Sequence, residues 1–163
     1  MRVALVIVLL IAAGCQHDES QGLSPRTAAT IRETTTVQAY RIASPLAPNF
    51  DDLKRTHRLI SEYPILEEKP VPPTTARRLV AALTDRKTYG DATDCTFDPG
   101  YALQFRRGAD TVVFVICFKC GDMDVEPSAA VGEPKATLAI NGPAPALHAT
   151  MRELFPDRAH ASR

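Results

Sequence analysis

A chain of 163 residues with 45% hydrophobic and 23% charged side chains has room for one globular core with a leader and a short tail. Its composition excludes wholesale disorder and a many-helix membrane protein. The 19 Lys and Arg balance the 19 Asp and Glu, and the basic runs, Lys54-Arg55, Arg77-Arg78 and Arg106-Arg107, are short and scattered. No basic stripe with interleaved aromatics marks the chain for nucleic acid.

The chain opens on a cation, Arg2, followed by an unbroken apolar run of 11 residues, 3–13, and then Gly14 and Cys15. As a helix that run covers about 16 Å, whereas a bilayer core needs roughly 20 apolar residues. It therefore reads as a leader that is cut rather than as a permanent span. The stretch Ile11-Ala12-Ala13-Gly14-Cys15 resembles the lipobox of bacterial lipoproteins, with Ala12 where Leu is usual. The resemblance implies a signal peptide over residues 1–14, a lipid such as palmitate on Cys15, and no other cofactor. It also implies a protein held to the membrane of the cell envelope. Gln16 after the cysteine, rather than Asp, is the pattern of lipoproteins passed to an outer membrane, facing the periplasm. Two or three acyl chains hold firmly where one holds marginally.

Residues 15–36 are rich in Ser, Thr, Gln, Asp and Glu and are expected to form a flexible tether. A small α+β domain is expected over residues 37–157, with a disordered tail at 158–163. Residues 37–42 suggest a short strand of unassigned facing, and residues 51–66 fit neither period. After Pro70-Val71-Pro72-Pro73, Thr74 is placed to cap a helix at about 75–84, with Ala76, Leu79, Val80 and Leu83 on one face. Tyr101, Leu103 and Phe105 alternate with Ala102, Gln104 and Arg106, and residues 111–118 are β-branched and apolar on both faces. These two strands form the expected central hairpin, closing at Gly108-Ala109. Residues 122–135 read as an acidic surface loop, 136–140 as a further strand, and 144–155 as a closing helix carrying Leu147, Met151, Leu154 and Phe155. The predicted architecture is a small antiparallel sheet with both helices on one face.

Lipid on Cys15 leaves Cys95, Cys117 and Cys120. Hairpin closure at Gly108-Ala109 pairs Leu103 with Phe114 and Phe105 with Val112. Continued outward, that register sets Cys95 diagonal to Cys120 on one face and turns Cys117 to the other. The favoured bridge is Cys95 to Cys120, and a one-residue bulge at Pro99-Gly100 would make Cys117 the partner instead. Either bridge closes about 25 residues and stabilises by roughly 3 kcal/mol. No helix start follows Cys117-Phe118-Lys119-Cys120, which argues against a thioredoxin-type pair. Zinc would need a fourth ligand from His57, which has no ligand spacing, or from His148, which sits on the expected closing helix. Asp122, Asp124 and Glu126 alternate, but lack the further ligands and glycine of a calcium loop.

Residues 95–105 and 115–120 resemble a recurrent pattern in uncharacterised bacterial secreted proteins and lipoproteins. The resemblance spans about residues 91–124. It implies the hairpin and the cysteine set and carries no catalytic role; the His common at the position of Gly100 in related patterns is absent. There is no phosphate-binding Gly loop, nucleophile elbow or His-Glu-x-x-His helix. The expected function is therefore non-enzymatic: a lipid-anchored envelope protein that binds or supports, its partners the membrane and an envelope protein. The alternative is a thiol-redox or metal-binding protein using Cys95, Cys117 and Cys120.

Overall fold

The computed structural model describes residues 22–91, 94–141 and 144–156. Among them are four α-helices and one seven-stranded sheet, all antiparallel. In chain order the elements are α1 (Pro25–Arg32), β1 (Thr36–Ile42), α2 (Phe50–Thr56), β2 (Leu59–Ile60), β3 (Tyr63–Pro70), α3 (Pro73–Thr84), β4 (Tyr101–Arg107), β5 (Asp110–Cys117), β6 (Asp122–Pro127), β7 (Ala136–Ala139) and α4 (Pro145–Leu154). The strands lie in the order β2-β3-β1-β4-β5-β6-β7.

The α+β class and the central hairpin agree with the sequence. Leu103 pairs with Phe114 and Phe105 with Val112. At the tip Gly108 takes φ +58° between the paired Arg107 and Asp110, a backbone that glycine adopts without strain. The Phe105 and Phe114 rings meet edge to face, centroids 5.4 Å apart.

The sheet is larger than expected, and three helices cover its main face. Val37 and Ala39 of β1, Val112, Phe114 and Ile116 of β5, and Met123 and Val125 of β6 pack under Ile31 of α1, Leu79 and Leu83 of α3, and Leu147 and Met151 of α4. All are buried. Each large side chain there contributes about 1.5–3 kcal/mol by leaving water.

Three expectations need correction. The tether does not extend to residue 36, because residues 25–32 form α1. Ser24 caps this helix, its Oγ accepting from Thr27 N–H at 3.1 Å, and Pro25 fills the first turn. Glu133 accepts from Ser24 Oγ, and from Thr27 Oγ1 at 2.6 Å. The acidic loop is replaced over its first half by β6, where Asp122, Asp124 and Glu126 alternate with inward Met123 and Val125. Lys135 bridges Asp124 and Glu126 at 2.9 and 2.7 Å, so the carboxylates stand on one sheet face without mutual repulsion deciding the local fold. Finally, α3 begins two residues earlier than a Thr74 cap implies: Pro72 is the N-cap residue, with no side-chain hydrogen bond, and Pro73 opens the helix.

The stretch 51–66, which fits neither period, falls in α2, β2 and the first half of β3. Ser61 and Glu62 turn the β2–β3 hairpin with φ of 46° and 74°, the two positive values a tight hairpin turn requires. The hairpin curls over the opposite sheet face, where Tyr40, Ile42, Ile60, Ala102 and Val115 form a smaller buried cluster. Facing in β1 is thus settled by burial on both sides. Val37 and Ala39 look to the helices, and Tyr40 and Ile42 look away.

Candidate functional site: a cleft beside α3

A cleft follows from the way the chain leaves the sheet after β3. Pro70 and Pro72 have no N–H to give a neighbouring strand, so pairing with β1 ends at Gln38 opposite Pro70. One further tie, Val71 N–H to Val37 O at 2.9 Å, is made before the chain turns into α3. Among the described residues, 34–36 have no strand partner on that side. They are held from β4 instead, where the Arg106 carbonyl accepts from Thr35 N–H at 2.9 Å, from Thr34 Oγ1 at 2.8 Å and from Thr35 Oγ1 at 3.1 Å.

Between this stretch and α3 lies a cleft of about 550 Å³. Val37, Val71, Ala76 and Val80 supply its apolar floor, and Arg32 from the last turn of α1 and Arg77 from α3 stand on the rim. Arg77 is on the outer side of α3, while Thr75, Leu79 and Leu83 are buried beneath it. Among the described residues neither arginine makes an ion pair or hydrogen bond, and no Asp or Glu lines the cleft. Arg78, the next residue, is bound bidentately by Glu153 of α4, which holds the Glu153 carboxyl below its ordinary pKa through that hydrogen bond. The cleft therefore offers an apolar surface beside two uncompensated positive charges. The sequence shows Arg77 only as part of a short basic run, and the β3–α3 exit that sets it beside Arg32 and a hydrophobic floor left no local signal.

Cys95 and Cys120 are joined, with Cα atoms 5.5 Å apart. They meet from the loop before β4 and the turn after β5, outside both strands, so the ladder does not itself carry them together. The turn closes with Gly121 at φ +72° and its N–H donating to Cys117 O. Cys117 is free and fully buried, and its Sγ accepts from Cys120 N–H at 3.3 Å. His57 is exposed at the end of α2, and His148 lies on α4 with its ring centroid 4.7 Å from that of Phe118. Among the described residues no three His, Cys, Asp or Glu side chains converge as a metal site. Burial, and then the neighbouring Asp124, push the Asp122 carboxyl above its ordinary pKa. Cys15 and the leader lie outside the described residues. Among the described residues no helix is long and apolar enough to cross a membrane. Compared with protein-family models, curated proteins and solved structures, the chain matches none.

Proposed function

We propose that this chain is a lipid-anchored envelope protein, tethered through Cys15, whose domain works by binding an amphipathic anion in the cleft between β1 and α3. The carrying observation is the pairing of an apolar floor with Arg32 and Arg77, two cations without partners among the described residues, in a cavity of about 550 Å³. Burying an apolar body against Val37, Val71 and Val80 supplies about 25 cal/mol per Å². The arginines hold a single negative head by charge-assisted hydrogen bonds. Outer-membrane placement, from Gln16, belongs to the same reading.

Thiol or metal chemistry at Cys95, Cys117 and Cys120 has less in its favour, since Cys117 has no exposed surface and the other two are bonded to each other. Calorimetric titration with decanoate tests the binding reading, with decyltrimethylammonium as the cationic control. Decanoate is expected to bind and the cation not to. Arg32→Glu with Arg77→Glu should weaken decanoate binding by about tenfold or more, as loss of two charge-assisted contacts implies. Equal binding of the two probes, or unchanged affinity in the double variant, would remove the cleft as the site.

A further inference from the structure

The sheet face turned away from α1, α3 and α4 carries a second groove, of about 520 Å³, between the β2–β3 hairpin and the adjoining parts of β1 and β4. Strand register sets its side chains together: Gln38 lies opposite Gln104, and Tyr40 opposite Glu68. Its chemistry differs from that of the cleft. Tyr40 donates its hydroxyl hydrogen to Gln104 Oε1 at 3.2 Å, Arg106 Nη2 reaches the same oxygen at 3.5 Å, and Arg58 Nη2 donates to Glu68 Oε2 at 2.7 Å. Beside this network Gln38 Oε1 is buried with no hydrogen-bond partner among the described residues. A buried acceptor left unpaired is unfavourable. Coverage of the sheet alone would be met by an apolar side chain there, as Ile42 meets it two positions beyond Tyr40 on the same face.

We infer that this groove is a binding site for a neutral saccharide chain. Arg58 and Arg106 supply donors, Glu68 supplies acceptors, and Gln38 and Gln104 supply both kinds. A hydroxyl group is donor and acceptor at once, so a polyol satisfies such a mixed set. A simple anion meets Glu68, and a simple cation meets Arg58 and Arg106. Leu59 and Ile65, also lining the groove, present apolar surface to the C–H faces of sugar rings. The groove shares Thr36 and Gln38 with the cleft but differs in chemistry, since the charge of the cleft is uncompensated and its floor is apolar.

Saturation-transfer NMR on the full chain in phospholipid nanodiscs tests the inference, with maltotetraose and a β-1,4-linked N-acetylglucosamine tetramer as separate probes. Transfer to the ring protons of at least one tetramer is expected. It should fall at least fivefold in Glu68→Gln with Arg106→Gln, fall by about half in Arg58→Gln, and stay unchanged in Arg77→Ala. Arg58 is a rim residue, its side chain 72% exposed, so its variant keeps the fold. Gln38→Leu should abolish transfer and raise the sugar-free Tm by about 3 °C, because the unpaired acceptor is gone. No transfer to either tetramer, equal transfer in the Arg58 variant, preference for glucose 6-phosphate over both tetramers, or a lowered Tm in Gln38→Leu would each overturn it.

Discussion

Asp122 stands opposite Cys117 at the end of the β5–β6 ladder, where burial first and Asp124 second raise its carboxyl pKa. A raised acid binds its proton more tightly in the fold than in the unfolded chain. Stability therefore falls as pH rises through the interval between the ordinary carboxyl value and the raised one, and the penalty is complete above it. Asp122→Asn is expected to stabilise the fold relative to the parent at pH 7, by under about 1 kcal/mol, with a raised Tm, and to give no advantage at pH 3. Parallel thermal melts at the two pH values check this; an advantage that persists at pH 3 would show that charge is not the cause. Neighbouring Cys117 illustrates a different residue-scale rule. Its alternation with Ile116 and Val115 was legible, but the turn that sets Cys120 N–H on its sulfur was not, because a four-residue connection of Phe118, Lys119, Cys120 and Gly121 has no hairpin signature in its side chains.

Among the elements, α1 shows how composition misleads. Its buried positions are Thr27, Ala28, Thr30 and Ile31, so a hydropathy reading finds one large apolar side chain and a polar remainder. The threonines can be buried because their hydroxyls have acceptors: Thr30 donates to Arg26 O at 3.1 Å and Thr27 to Glu133. Glu133→Ala is expected to cost about 1–3 kcal/mol in urea unfolding, since it leaves the Thr27 hydroxyl buried without a partner. Adding Thr27→Val should recover part of that loss. If the second substitution makes matters worse by its full separate cost, the Glu133 contact is not what holds α1. The acidic residues of β6 misled in the same way, since Asp122, Asp124 and Glu126 read as solvent-facing loop until Met123 and Val125 are seen buried between them. By contrast α3, α4 and the β4–β5 hairpin were legible because each carries large aliphatic or aromatic residues at its own period.

At the scale of the whole molecule, the order β2-β3-β1-β4-β5-β6-β7 is a run of sequence-neighbour hairpins interrupted at β1, which sits between β3 and β4. Six residue pairs, from Thr36 with Arg106 to Arg41 with Tyr101, join the two halves. Nothing in the local sequence specifies a pairing between positions so far apart, so neither candidate binding region, both of which use Thr36 and Gln38, could be assembled from pattern alone. The anchorage proposed through Cys15 is tested at this scale too. Cys15→Ser is expected to yield chain that incorporates no fatty-acid analogue in growing cells, and label on the variant equal to the parent's would end the lipoprotein reading. The place of β1 then has a mechanical meaning. A pull entering from the N-terminal side first meets α1, fastened by Ser24 and Thr27 to Glu133, and next β1, which is laced to β3 along one edge and to β4 along the other. Tension along that strand loads two rows of hydrogen bonds together instead of opening them one at a time, so a tether on the N-terminal side would tug on the sheet where its bonds share the load.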